Sequence, residues 1–280
     1  KKLLKTIKMR FAIAYCKNNI AGKNIVEQFR KLIFSPHIPI IELKQETIYS
    51  DDINEKNYPE LKNVDFLVFT STHKSKNNIP SLSLHAPGNW RSADLGGKEG
   101  KICRTSAFVL KYLFQKLEEN AKKNNEIYGK FDITLEATHH GPLIDLPNCF
   151  IELGSQENEW KDEKAAKIIA ETILSLQNFD KKNYNWISAI GVGGTHYCPN
   201  FNKIQLNSVY AISHIIPEHI FPITETIIKE AEEKTIENIK IVLIDWKGCG
   251  KSEERQKILD LLEKLNLKYE RTSNIETSNI

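Results

Sequence analysis

The sequence has 280 residues, of which 40% are hydrophobic and 27% charged, so it is long enough to bury a sizeable core. This composition excludes long disorder. Thirty-nine Lys and Arg residues against 36 Asp and Glu residues leave a net charge of +3, which excludes a generally basic protein that coats nucleic acid.

Short apolar, β-branched runs alternate along the chain with longer segments whose apolar residues recur at helical spacing. The first half predicts strands at residues 11–15, 38–43, 64–70 and 81–85 and helices at 22–34 and 105–120. The second half predicts strands at 131–137, 149–153, 186–192, 209–215, 239–245 and 268–271 and helices at 159–176, 223–234 and 253–265. Residues 81–85 alternate serine with leucine, which predicts a half-exposed strand. The Lys- and Asn-rich stretch 118–130 predicts a surface loop.

Strands that alternate with helices indicate an α/β fold, with a mixed, largely parallel sheet and helices on both faces. Repeats, low-complexity tracts and long linkers are absent from the sequence, so we expect a single domain over residues 1–280. Met9 is an alternative start of the chain, which would make residues 1–8 an N-terminal extension.

The five cysteines are scattered, odd in number and without a C-x-x-C pair, which favours reduced thiols over disulfides. The apolar runs are too short for a membrane span, and the basic N-terminus lacks the features of a signal peptide. We therefore expect a cytoplasmic protein that needs no membrane and no obligate protein partner.

Six of the eight histidines lie at or just after the end of a predicted strand. They are His73, His85, His139, His140, His196 and His214. Because ligands of open α/β sheets bind beyond the carboxyl ends of the strands, we expect these imidazoles to converge at one rim. His37 and His219 lie in proline-containing loops and are given no role.

A histidine cluster that includes a carboxylate is the usual ligand set of catalytic zinc, which activates water for hydrolysis at neutral pH. Glu136 stands three and four residues before His139 and His140 and is the best carboxylate for this site. The same cluster could also work without a metal, with one imidazole as general base and another binding an oxyanion.

One segment imitates a phosphate-binding loop. Strand 239–245 leads through W-K-G-C to G-K-S at 250–252, but Asp245 stands where the P-loop requires glycine. This difference disfavours an ATPase. The start of the helix that follows remains a candidate anion site.

Seven segments, in order, resemble the archaeal and plant type of D-aminoacyl-tRNA deacylase, over a span from about residue 9 to 271. They are A-G-K-N-I at 21–25, S-T-H-K-S at 71–75, S-L-H-A-P-G-N at 83–89, E-A-T-H-H-G-P at 136–142, F-I-E-L-G-S at 150–155, G-V-G-G-T-H-Y at 191–197 and D-W-K-G at 245–248. The resemblance implies zinc-dependent hydrolysis of the ester between a D-amino acid and the tRNA 3′ end, which recycles mischarged tRNA. It also implies a fold similar to that of phosphorylases and peptidyl-tRNA hydrolase.

With this resemblance, the candidate catalytic residues are Glu136, His139 and His140, where Glu136 acts as general base or additional ligand. One or two zinc ions are expected, with ligands among His73, His85, His139, His140 and His196. D-specificity is expected to arise by exclusion, because an L side chain would be misplaced in the pocket.

Basic residues near the predicted rim are candidates to contact phosphates of the tRNA acceptor end. They are Lys74, Lys76, Arg91, Arg104, Lys247 and Lys251. Trp90 is a candidate to stack on the terminal adenine, although packing inside the protein is the favoured interpretation.

Two other classes of function remain open at this point. One is a zinc amidohydrolase or peptidase that acts on a small acylated substrate, and the other is a non-catalytic RNA-binding module. A basic opening wide enough for an RNA end would favour the deacylase, and a closed small pocket would favour the amidohydrolase.

Overall fold

Two sheets organise the protein, which we describe from a computed structural model that covers residues 9–33 and 38–277. The predicted extension 1–8 and His37 therefore lie outside the described residues. The larger sheet contains β1 (Phe11–Cys16), β2 (Ile40–Leu43), β3 (Phe66–Thr72), β4 (Ser81–His85), β5 (Asp132–Leu135) and β6 (Asn148–Gly154), and the smaller sheet contains β7 (Ile187–Val192), β8 (Tyr210–Ile216), β9 (Ile241–Ile244) and β10 (Tyr269–Arg271).

The larger sheet has the strand order β2-β1-β3-β6-β4-β5, and all neighbours are parallel except β4 and β6. The smaller sheet has the order β10-β9-β7-β8 and is parallel throughout. The mixed, largely parallel α/β class is thus confirmed, with the strands divided between two sheets.

Seven helices accompany the strands in the described part of the chain. They are α1 (Ile20–Leu32), α2 (Ala107–Lys122), α3 (Glu157–Trp160), α4 (Glu163–Leu174), α5 (Pro199–Asn207), α6 (Glu225–Glu233) and α7 (Ser252–Lys264). Side chains that accept a backbone N–H start several of them, as Asn19 does for α1 and Ser106 for α2. Within the described residues, none of these helices is long and apolar enough to cross a membrane.

One core cluster joins the two sheets. It contains Ile13 and Leu82 from the larger sheet, Ala189 and Leu243 from the smaller one, and apolar residues of α1, α2 and α4. Two further clusters lie on the other face of each sheet; loops cover the larger sheet there, while α6 and α7 cover the smaller one. Because the first cluster is continuous across both sheets, we propose that the described residues form one domain.

Three local expectations need correction. The strand 81–85 is buried on both faces, because residues from other segments cover its serines. The predicted loop 118–130 begins inside α2, which continues to Lys122. Helix α5 was not predicted, because its nine residues are mostly polar and show no apolar stripe at helical spacing.

Candidate active site and metal centre

Polar residues occupy alternate positions on one face of the larger sheet. The strand register pairs Ser71 with Glu152 and Glu152 with Ser83, and Ser83 with Thr134. Side chains two residues apart on a strand share a face, so His73, His85 and Glu136 are on the same side as Glu152. This face, which Phe69 and Phe150 also share, carries the candidate site.

The predicted histidines do converge, but not at a common edge. Strand β4 runs antiparallel to β6, so His85 at its carboxyl end lies beside Phe150, whereas His73 follows β3 and bonds to Leu153 at the opposite end of β6. The site therefore spans the face of the sheet between these two ends. The turn after β7 of the smaller sheet brings His196 to it.

Glu136 is the centre of the cluster and is fully buried. Its Oε2 lies 2.9 Å from His196 Nε2 and 3.4 Å from His139 Nε2, and its Oε1 lies 3.1 Å from His73 Nδ1. Burial alone would raise the pKa of Glu136, but the bonds from His196 and His73 outweigh it and hold the pKa well below the ordinary value. Glu136 is therefore a carboxylate in the folded protein.

His73 lies between two carboxylates. Its Nδ1 is 3.1 Å from Glu136 and 3.5 Å from Glu152, and its Nε2 is 3.1 Å from the Tyr197 hydroxyl. Burial opposes the charged form, but the two carboxylates raise the pKa of His73 to about 11. His73 is thus a cation that partly neutralises a buried pair of negative charges.

Three other imidazoles are held in one tautomer by backbone carbonyls. The Nδ1 atoms of His85, His139 and His140 lie 3.3, 2.8 and 2.6 Å from the carbonyl oxygens of Ala86, Ala137 and Gly141. An Nδ1–H that donates to a carbonyl leaves Nε2 with an available lone pair, which is the form that binds metals.

Burial also keeps these three rings neutral. It lowers the pKa of His85 to about 3, lowers the pKa of His139 well below its ordinary value, and lowers the pKa of His140. The neighbouring imidazoles add to the effect for His85 and His139, because two adjacent positive charges would repel.

The donor set fits a metal ion. Within the described residues, three groups have ligand atoms that all lie within 4.8 Å of one another: His85, His139 and His140; Glu136, His139 and His196; and His73, Glu136 and Glu152. The Nε2 of His85 is buried without a hydrogen-bond partner, and Glu136 Oε1 accepts no well-aligned hydrogen bond. Both atoms are suited to bind a metal.

Within the described residues, the cluster meets solvent at two of its histidines. The side chains of His139 and His196 are 28% and 37% exposed, whereas His73, His85 and both carboxylates are 5% exposed or less. A substrate therefore reaches the cluster past His139 and His196.

The sixth predicted histidine, His214, belongs to a different environment. It is fully buried, its Nδ1 is 3.2 Å from the Thr138 hydroxyl, and its ring meets Trp90 edge-on. Trp90 is itself buried and donates its Nε1–H to the Ile215 carbonyl, so the packing interpretation is confirmed and stacking on adenine is wrong. His219 is exposed in a short 3₁₀ turn.

The candidate RNA-binding residues are exposed but occupy different surroundings. Lys74 directly follows His73 and lies over the Trp160 ring. Lys247 precedes Gly248, whose carbonyl accepts the N–H of Gly194 in the turn that leads to His196. Arg104 is next to Asn148 at the first residue of β6, away from Glu152. The Arg91 guanidinium donates to the carbonyls of Ile220 and Pro222.

The anion site expected at the start of α7 is wrong. The N–H of Lys251 donates to the Glu254 carboxylate at 2.6 Å, and Glu253 adds a second negative charge in the first turn. Glu254 thus caps the start of the helix, so its backbone N–H groups do not form the expected anion site. Asp245, which replaces the P-loop glycine, accepts a hydrogen bond from Asn200.

Two residues of the cluster were not predicted. Glu152 lies in the F-I-E-L-G-S segment, and its position two residues after Phe150 on a strand is the signal that could have placed it on the polar face. Tyr197 directly follows His196 but reaches His73, so no local pattern identifies its partner.

Comparison with known proteins identifies one family. A model of the D-aminoacyl-tRNA deacylase family matches residues 60–270. The D-aminoacyl-tRNA deacylase of Thermococcus onnurineus is 37% identical over 233 residues, which cover 82% of each chain. The protein of that name from Methanocaldococcus jannaschii is 30% identical over 275 residues, which cover 94% of this chain and all of the relative. A crystal structure described as a conserved protein of unknown function matches with a TM-score of 0.84 and 26% identity, covering 96% of this chain and 97% of that one.

Proposed function

This chain belongs to the D-aminoacyl-tRNA deacylase family and hydrolyses D-aminoacyl-tRNA, and we propose that the ester is cleaved at the cluster centred on Glu136. The observation that carries this assignment is the convergence of five imidazoles and two carboxylates at a site that opens past His139 and His196. Since aminoacyl-tRNA is made and used in the cytoplasm, the protein acts there.

The cluster is proposed to hold zinc. His85, His139 and His140 present neutral Nε2 atoms, and Glu136 and His196 complete a second set of ligands that shares His139. Imidazole and carboxylate ligands suit zinc, and the two overlapping sets have room for one or two ions. When bound, zinc lowers the pKa of water and polarises a carbonyl group.

The residues of the site supply the remaining chemistry. Water attacks the carbonyl carbon of the ester, the bond from that carbon to the ribose oxygen breaks, and the ribose oxygen receives a proton. When His85, His139 and His140 hold the ion, Glu136 and His196 are not ligands, and Glu136 is the candidate base because it is ionised and buried beside the opening. His196, with its Nε2 2.9 Å from Glu136 and its side chain 37% exposed, is placed to pass the proton to the ribose oxygen.

The candidate contacts to the acceptor end are Lys74 and Lys247, since each lies in a segment that carries or supports a histidine of the cluster. Phosphate contacts of this kind position the RNA without reading its sequence. Selection of the D-amino acid would follow from exclusion of an L side chain that points the wrong way in the pocket.

The direct test incubates the protein separately with D-tyrosyl-tRNA and L-tyrosyl-tRNA. Hydrolysis of the D-ester alone is expected, and it should stop after thorough chelation and return when zinc is added. Equal hydrolysis of the two esters would contradict D-specificity, and full activity without bound metal, measured by elemental analysis, would contradict the zinc proposal.

Variants then test the assignment of the site. Glu136→Gln, His139→Ala and His140→Ala should each reduce kcat by about 10²- to 10⁴-fold, the usual contribution of acid–base groups. His219→Ala is the matched control, because that histidine is exposed and outside the cluster. Unchanged kcat in all three site variants would place the reaction elsewhere.

A further inference from the structure

Two arginines cover the same tryptophan at the edge of the smaller sheet. The guanidinium carbon of Arg271 lies 3.6 Å from the centroid of the Trp246 ring, and that of Arg255 lies 5.2 Å from it. Trp246 follows β9, Arg271 ends β10, and Arg255 lies in the first turns of α7. We name this group the Arg–Trp–Arg cluster.

Neither guanidinium is paired with a carboxylate of the described residues. Among the described residues, the side chains of Arg255 and Arg271 make no ion pair within 4.0 Å and no hydrogen bond, and Arg255 Nε is buried without a partner. Other cations of α7 are paired, as Lys257 is with Glu253 at 2.7 Å and Lys264 with Glu225 at 2.8 Å. The two arginines therefore keep their hydrogen-bonding capacity for a ligand.

The geometry of stacked arginine favours a phosphate as that ligand. A guanidinium that lies over an aromatic face has its ring-facing side occupied, while its N–H groups lie in the guanidinium plane. Because Arg255 Nε is buried, the two Nη atoms of Arg255 are the ones that can meet a ligand. This planar fork matches the oxygens of a phosphate group and binds it through two parallel hydrogen bonds. The tryptophan restricts both side chains, which reduces the entropy that binding would otherwise cost.

The Arg–Trp–Arg cluster lies on the same side as the opening of the site. Arg271 is in register with Ile244 of β9, and Ile244 is in register with Val192 of β7. The turn that starts after Val192 carries His196, and its Gly194 N–H donates to the Gly248 carbonyl at 3.1 Å, directly beside the Trp246 loop. Two strand spacings, about 10 Å, thus separate the β10 end from the β7 end.

We propose that Arg255 and Arg271, held on Trp246, bind backbone phosphates of the tRNA acceptor strand adjacent to the esterified 3′ end. The proposal rests on the deacylase function and extends it by naming a site for the RNA backbone. It gives the small net charge of +3 a local explanation, since a few unpaired cations at one edge are enough to hold one end of the RNA.

The test measures binding of uncharged tRNA by fluorescence anisotropy at several salt concentrations, for the wild type, Arg255→Met, Arg271→Met and the double variant. Each single variant should weaken binding by about tenfold, which corresponds to about 1.4 kcal/mol for a lost charge-assisted hydrogen bond. The slope of log Kd against the logarithm of the salt concentration should decrease by about 0.7 for each phosphate that the variant no longer neutralises.

The kinetic result should match the binding result. For D-tyrosyl-tRNA, KM should rise by a similar factor while kcat stays close to that of the wild type, because the cluster contacts no reacting atom. Lys257→Met is the matched control, since it removes one positive charge from the same helix, but one already paired with Glu253. It should leave Kd, KM and the salt dependence unchanged.

Three outcomes would overturn the proposal. These are an unchanged tRNA Kd in the double variant, an equal loss of affinity in Lys257→Met, and a loss of tRNA affinity that a lowered Tm fully accounts for. Arg271→Met distinguishes lost binding from lost stability, because Arg271 is exposed and its removal leaves the core intact.

A competition experiment separates RNA from free phosphate as the ligand. Inorganic phosphate at millimolar concentration should displace little tRNA, and complete displacement would indicate a site for free phosphate instead. If the wild type binds tRNA but fails to hydrolyse D-tyrosyl-tRNA, the deacylase function fails while this binding test remains decisive.

Discussion

Replacing Lys111 with methionine should change how the stability of the protein depends on pH. Lys111 lies in the middle of α2, is fully buried, and donates to the Gln205 carbonyl. Burial lowers the pKa of Lys111 from 10.5 to about 7. The residue lies 5.5 Å from the ring of Trp186, just before β7, whereas the histidine cluster is reached from the opposite end of that strand. Its lowered pKa therefore reflects packing, and it has no role in the site.

The sign of the effect follows from the protons bound in each state. Between pH 7 and 10.5 the unfolded chain carries a proton on Lys111 that the folded chain does not, so Lys111 contributes a rise of the free energy of unfolding with pH. His73 contributes an opposite slope over this range, because its pKa is raised to about 11 in the folded state, and this slope is common to all variants compared below. The full difference between these two pKa values corresponds to about 5 kcal/mol. The contribution of Lys111 over one pH unit, from about 7.5 to 8.5, is a rise of about 1.4 kcal/mol.

Urea unfolding at pH 7.5, 8.0 and 8.5 measures this slope. The range stays below pH 9 because burial raises the pKa of the Cys103, Cys149, Cys198 and Cys249 thiols, which makes stability fall at higher pH in every variant. Per pH unit, the slope of the free energy of unfolding should be about 1.4 kcal/mol lower in Lys111→Met than in the wild type, and Lys111→Met should be the more stable protein at pH 7.5. Lys203→Met, at an exposed position of α5, should keep the slope of the wild type. Equal slopes for the wild type and Lys111→Met would refute the reasoning.

Three further predictions concern the supports of the site. Gly193→Ala should lower both Tm and kcat, because at φ +92° the added Cβ would lie 2.5 Å from Cys249 Sγ and 2.8 Å from the Asp245 carbonyl oxygen. The control is Gly100→Ala, at φ +64° in open space, which should lower the free energy of unfolding by only about 1–2 kcal/mol and leave kcat unchanged. Arg91→Met should destabilise the protein by about 1–3 kcal/mol and leave tRNA affinity and its salt dependence unaltered, because the guanidinium binds two backbone carbonyls. A loss of tRNA affinity without a loss of stability would instead show that Arg91 contacts the RNA. Thr138→Val should lower the free energy of unfolding by roughly 1–3 kcal/mol, because the Thr138 hydroxyl bonds to His214 and to the Ile215 N–H. Since Thr138 directly precedes His139, the zinc content measured by elemental analysis should also fall. An unchanged zinc content would mean that His139 is held in place without this hydroxyl.

Much of the architecture could be predicted because each element has its own periodic signal. The strands of both sheets and five of the seven helices left a pattern of alternating or helically spaced apolar residues, whereas the four-residue α3 and the mostly polar α5 did not. What such patterns do not contain is strand order and direction. The reversal of β4 relative to β6 turned the predicted rim into a site on the face of a sheet.

The site was predictable where its residues are anchored locally. Glu136, His139 and His140 stand within five residues, and the carbonyls that orient His85, His139 and His140 belong to residues one or two positions away in the chain. Contacts between residues far apart in the chain could not be predicted, because they leave no pattern in the local sequence. The pairing of Tyr197 with His73 joins residues 124 positions apart.

Glu136 shows why the locally anchored residues are not sufficient for a complete site. Its Oε1 faces His73, which follows a strand of the larger sheet, and its Oε2 faces His196, which follows a strand of the smaller sheet. A single carboxylate therefore fixes the distance between the two sheets at the point where the site opens. Because removal of one partner from a buried charged group costs several kcal/mol, the sheets are held together most firmly where the ester must be positioned most accurately. The same carboxylate that serves as candidate base thus also sets the geometry in which it acts.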